Sequence, residues 1–178
     1  MNSLITNNKY SFTILIFTFI SILSFSVYAD PGIHKDIQKR GDAYIVFLPG
    51  HLEFSEVMQS VENEIHGQNW QIVHKMNIGE SVKQLNKSAE NQILSVCKLS
   101  YLSEAIEKDP FISLIIPCRF TVFRESDADS ENKGKIVVGF YDPVAEANGL
   151  ELKQAEAAEI ATHELKEILS RVADFYKE

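Results

Sequence analysis

Apolar residues along the chain recur with two different periods. Tyr44–Leu48 is a short unbroken apolar run stopped by Pro49-Gly50, as expected of a strand with apolar neighbours on both sides. Phe54, Val57, Met58, Val61 and Ile65 then fall three and four residues apart, which predicts an amphipathic helix over 54–66, ended by Gly67. Over 70–78 the period is two: Trp70, Ile72, His74, Met76 and Ile78 share one face of a strand, with Val73 the main apolar residue on the other. A polar connection over 79–90, holding at most a helical turn, leads to a strand over 91–98. Leu102, Ala105 and Ile106 suit a short helix that Asp109-Pro110 closes. The apolar run Phe111–Ile116 leads into a strand over 117–124, a charged turn over 126–135 and a fifth strand over 136–141, broken by Asp142-Pro143. Ala161, Leu165, Ile168, Leu169, Val172 and Phe175 stripe a last helix over 151–176, and the polar segment 30–42 reads as irregular or a short helix.

That order lacks sustained strand-helix-strand alternation, so a doubly wound parallel sheet is not expected. It predicts an α+β two-layer sandwich: a mostly antiparallel five-stranded sheet with two long helices on one face. Two helices leave the second face open, yet 44–48 and 136–141 are apolar on both sides, where an open sheet alternates apolar with polar. We expect part of that face to be covered by a second copy of the chain, making a homodimer, or by an apolar ligand. The alternative cover is the amino-terminal segment or the 79–90 connection.

Ahead of the domain, residues 10–29 carry no charge. An apolar core over 12–20 precedes Val27-Tyr28-Ala29, so 1–29 reads as a secretory signal peptide cut between Ala29 and Asp30. Its alternative is an uncleaved membrane anchor, the one route by which a membrane enters. The expected product is exported, periplasmic or secreted, with about 149 residues, enough for one domain. Loss of Lys9 takes the net charge from −8 to −9, a poor match for phosphate backbones, and nucleic acid is not an expected partner.

Several motifs fall in order. Asn69-Trp70 follows Gly67 into a strand; Cys97-Lys98-Leu99-Ser100-Tyr101-Leu102 opens a short helix; Pro117-Cys118-Arg119 begins an alternating strand; Gly134-Lys135 follows an acidic turn. Together they resemble the prokaryotic family catalogued as domain of unknown function 302, over roughly residues 43–176. The resemblance implies a domain over 43–178 with a two-layer sandwich similar to the TATA-binding-protein fold, and it implies no agreed activity. Leu99 stands near a position where many members have Pro, and the turn at Ser126–Asn132 is longer than usual.

Candidate chemistry centres on Cys97 and Cys118, the only cysteines. If their strands are antiparallel neighbours, the two meet at one edge of the sheet. They then form a structural disulfide closing about 22 residues, a staple of about 3 kcal/mol, or a thiol site for a soft metal, haem or sulfur species. The remaining alternatives are thiol-disulfide exchange, without a Cys-x-x-Cys motif, and two inert buried thiols. Arg119 is a secondary candidate for an anionic ligand, against an ion-paired surface arginine. His74 is another, against a core histidine. His163-Glu164-Leu165-Lys166-Glu167 lacks the second histidine of a zinc-protease helix, and its His163 and Glu167 read as a solvated face. No motif identifies a cofactor, a phosphate loop or a nucleophile elbow. The residues favour a non-enzymatic binding module, with thiol-dependent redox or sulfur handling and a stapled interaction module as the alternatives.

Overall fold

A computed structural model describes residues 36–81, 90–152 and 155–177. The signal-like segment with Ala29 and Asp30, and most of the 79–90 connection, lie outside the described residues. The strands are β1 (Gln38–Arg40), β2 (Ala43–Leu48), β3 (Gln71–Asn77), β4 (Asn91–Cys97), β5 (Cys118–Arg124) and β6 (Ile136–Tyr141). They form an open antiparallel sheet in the order β1-β2-β6-β5-β4-β3. The helices are α1 (Phe54–Gly67), α2 (Ile78–Ser81), α3 (Leu99–Lys108), α4 (Pro143–Gly149) and α5 (Ala155–Phe175), with a 3-10 turn at Pro110–Leu114.

The sheet has six strands, not the five expected. The extra strand, β1, is wholly polar and carries no hydrophobic alternation. Pairing makes it a strand: Arg40 lies opposite Ala43 across the two-residue turn Gly41-Asp42, and Gly41 supplies the φ of 58° that such a turn needs at its first central position. The last helix expected over 151–176 is found as α5, but an unexpected short helix, α4, precedes it. Asp142 starts a helix instead of only breaking a strand. Its Oδ1 accepts from the Val144 N–H at 3.0 Å, with Pro143 at the first helical position. α4 then ends at Gly149, and Glu151 at φ 53° turns the chain before α5.

α1 and α5 pack on one sheet face through the stripes read from the sequence. Val57, Val61 and Ile65 of α1 and Leu165, Ile168, Leu169 and Val172 of α5 are fully buried against Val46, Leu94, Phe120, Val122 and Val138. On the opposite face Ile45, Phe47, Ile93 and Phe123 are half-buried around Val137, which is 2% exposed. Lys135 stands 5.8 Å from the Phe47 ring there. Gly139 lets β2 approach: a Cβ on it would lie 2.7 Å from both Ile45 Cγ2 and the Tyr44 carbonyl.

The alternation expected over 70–78 is broken. Pairing shifts between Ile72, opposite Val96, and His74, opposite Ser95, so Val73 is a bulge. One extra residue sends the rest of the strand to the other face. Lys75, opposite the core residue Leu94, faces α1 and pairs with Glu62 at 2.6 Å, while His74 and Met76 are exposed on the open face.

At the other end of the core Arg124 gathers three loops. Its guanidinium bonds the Glu90 carboxylate and donates to the carbonyls of Gly50 at 2.7 Å, Gly134 at 3.0 Å and Leu52 at 3.2 Å. Arg124→Ala leaves these acceptors without their donor and lowers stability by about 2 kcal/mol in urea unfolding. Arg124→Lys restores little of it, because an ammonium lacks the planar fork. Equal stability of Arg124→Ala and wild type would show that the guanidinium holds nothing.

Candidate functional site

The cavity that best combines enclosure with converging polar groups lies past the ends of β4 and β5. Val96, Cys97 and Cys118 border it from the sheet, Leu102 and Ala105 from α3, and Ile112, Ile115 and Ile116 from the 3-10 turn and the residues after it. Ala157, Ala158 and Ala161 of α5 form the facing wall. The alanines explain the void: where α5 faces the sheet centre it carries Leu165, Ile168 and Leu169, and one to two turns earlier it offers only methyl groups. The cavity measures about 60 Å³, room for about four waters.

One wall is polar. Trp70 Nε1 donates to Glu164 Oε2 at 2.9 Å, Tyr101 Oη donates to Oε1 at 2.9 Å, and Lys98 Nζ donates to both oxygens at 2.8 and 2.9 Å. Lys98 and Glu164 are each 14% exposed, and the ammonium also stands 5.0 Å from the Tyr101 ring. Burial acts to lower the Lys98 pKa, but the bonds and charge of Glu164, helped by Tyr101, outweigh it and the net shift is upward. Trp70, Lys98 and Tyr101 all border the cavity.

All of these residues fall within the segment 48–174 that matches the family model named Domain of unknown function DUF302. The chain belongs to the DUF302 family. It is similar to a crystal structure of an uncharacterized conserved DUF302 protein from Bacillus stearothermophilus, at 15% identity, with 75% of this chain and 99% of that chain covered and a TM-score of 0.63. That likeness shows the fold of the DUF302 domain. No curated protein matches the chain.

The expected meeting of Cys97 and Cys118 does not occur in this DUF302 domain. β4 and β5 are antiparallel neighbours, but Cys118 lies opposite Val96, one residue short of Cys97. Successive side chains take opposite faces, so Cys118 shares the face of Val96 and Phe120, and Cys97, opposite Gln71, that of Ser95. Both thiols are free. Burial pushes Cys118 up to about 12, assisted by the charges of Glu146 and Cys97 and opposed by Arg119. Burial also raises Cys97, against a hydrogen bond from the backbone at Lys98. The neighbouring cation, Arg119, is therefore a weaker influence on Cys118 than burial. Among the described residues no group of three or more His, Cys, Asp or Glu is arranged to hold a metal ion.

The secondary candidates lie elsewhere. Arg119 is on the face opposite Cys118, 55% exposed, and its Nη2 bonds Glu146 of α4 at 2.9 Å. It borders a wider groove with Tyr141 and Leu150 instead of the cavity. His74 is exposed on the edge strand, not in an apolar environment, because of the bulge. His163 is exposed as expected, 3.7 Å from Glu167, but Glu164 between them turns inward. Sequence reasoning missed Glu164 and Lys98 as site residues. A signal existed: Glu164 precedes Leu165 and lies three and four residues from Ala161 and Ile168, inside the apolar arc of α5, and a buried Trp and Tyr each require an acceptor.

The thiol shifts set a pH window. Both folded-state values lie above the ordinary thiol value of 9.0, so the stability they confer is complete below pH 9. The Cys118 part is lost as pH rises through about 12. The ¹³Cβ shift of Cys118 therefore stays at its protonated value past pH 9, and Cys118→Ala loses less stability than wild type between pH 9 and 12. A thiolate signal at pH 8 would contradict the burial argument.

Proposed function

We propose that the domain is a non-enzymatic binding module that holds a small, largely apolar molecule in the cavity between α3 and α5. The observation that carries this reading is the cavity wall itself. Apolar side chains and alanine methyls surround a space closed by one charge-balanced polar cluster, the usual composition of a small-ligand site. Both cysteines border the cavity, Cys118 from the covered face of the sheet and Cys97 at the strand end. Burial keeps them protonated and they are not close together, so neither soft-metal chelation nor disulfide exchange draws support from them.

Titration with 2-methyl-1-butene, followed by methyl NMR, tests the proposal. Saturable shifts are expected at Leu102, Ile112, Ile115 and Ile116. Ala161→Val and Ala161→Leu fill the space and remove those shifts, at a stability cost within about 1 kcal/mol for the smaller substitution. Wild-type protein that shows no saturable shift sinks the proposal.

The open sheet face supports a second element, pairing of two copies of the chain. Ile45, Phe47 and Phe123 remain half-buried around Val137, and a matching face would exclude water from them. Export belongs to the same proposal, with the signal removed between Ala29 and Asp30. Both parts meet in one measurement on protein recovered from outside the cytoplasm. Intact mass is expected to give a chain starting at Asp30, light scattering twice that mass, and Phe123→Glu a single copy. A wild-type monomer refutes the pairing, and a retained segment 1–29 refutes the cleavage.

A further inference from the structure

Among the described residues bordering the cavity, Trp70, Lys98 and Tyr101 alone carry strong side-chain donors. All of those donors are engaged. The Trp70 N–H and the Tyr101 O–H each donate to Glu164 at 2.9 Å. Two of the three Lys98 N–H groups donate to the same carboxylate at 2.8 and 2.9 Å, and the third is engaged by the Tyr101 side chain. The four contacts on Glu164 fill its four lone-pair positions. The phenol therefore closes the cluster on itself: its oxygen accepts from Lys98 and its hydrogen goes to Glu164. What remains toward the cavity is a second lone pair on the phenol oxygen, which the ammonium already draws on, and two thiols, weak both as donors and as acceptors.

Polar groups that satisfy one another leave little for a ligand to bond. A carbonyl entering the cavity gives up its water partners and gains none in exchange. A carboxylate brings a second negative charge to a closed, largely buried ion pair. An ammonium meets a carboxylate whose positions are filled. A hydrocarbon gives up nothing polar and buries its surface against the apolar walls. Resting on the binding reading above, we infer that the cavity selects a small uncharged hydrocarbon over a molecule of the same shape that carries a carbonyl or a charge, and that the Tyr101 hydroxyl sets this selectivity by occupying the third Lys98 N–H. Lys98 and Tyr101 both border the cavity, so removing that hydroxyl exposes a cationic donor to whatever the cavity holds. Charge-assisted hydrogen bonds are the strong ones, the more so in a low dielectric. One hydroxyl thus separates a hydrocarbon site from a carbonyl site.

Two molecules of nearly the same shape test this, 2-methyl-1-butene and 2-butanone, which differ by a CH2 in place of an oxygen. Each is titrated into the full-length protein by methyl NMR. Wild type is expected to bind the alkene at least about tenfold more tightly than the ketone. That ratio alone would follow from any dry cavity, and its collapse in Tyr101→Phe is the result particular to this cluster. Both ligands gain the same space in the variant, so their ratio reads the released N–H: the ketone is expected to come within about twofold of the alkene or to overtake it. Tyr101→Leu releases the same N–H and takes the place of the first variant if that one does not fold. Wild type that binds the ketone as tightly as the alkene overturns the inference and leaves the binding reading standing. An alkene preference that persists unchanged in the Tyr101 variants does the same. Wild type that binds neither molecule overturns both.

Discussion

The carboxylate of Glu164 ties α5 to α3 and to the paired ends of β3 and β4. It fixes the Trp70 indole at the entry to β3, the Lys98 ammonium at the β4–α3 junction, the Tyr101 hydroxyl in α3, and its own helix, α5. A carboxylate this far from water is tolerated only when charge and lone pairs are both matched, and here they are. The match orients α3 across the first turns of α5, and that crossing roofs the cavity. Replacing the cluster with apolar side chains could fill the same volume, but it would remove the directional bonds that place one helix against the other.

The two faces of the sheet follow a simpler rule, and most of it was legible in the chain. The helical spacing of Val57, Val61 and Ile65, and of Leu165, Leu169 and Val172, identified the covered face, and the doubly apolar β2 and β6 identified the apolar centre of the other. The failures have local causes. β1 is a polar strand made by its turn and its partner, which composition does not register. The helix before residue 151 starts at Asp142 because a side-chain cap turned a breaker into an initiator. His74 went to the wrong face because a bulge of one residue reverses a period of two, and nothing in Ile72-Val73-His74 announces it.

The site was legible in the wrong residues. Cys97 and Cys118 drew attention because they were two and followed an apparent export signal, and the strand pairing read from the sequence was right. A bond depends on register, and register one residue off places the thiols on opposite faces. Glu164 and Lys98 looked ordinary because their partners lie 94 and 66 residues from Glu164 along the chain. Long-range polar convergence leaves only an indirect trace in one sequence, here a carboxylate within an apolar arc.

Burial acts in opposite directions on the two kinds of group. Desolvation holds the thiols in their neutral form and removes the reactivity that made them candidates. The same low-dielectric surroundings strengthen any hydrogen bond the cavity can still offer. For Lys98 the hydrogen bonds and charge of Glu164 outweigh that burial, and its pKa moves upward. Quenched thiols beside a charge-balanced polar cluster are what support the proposed binding reading, more than the volume of the cavity does.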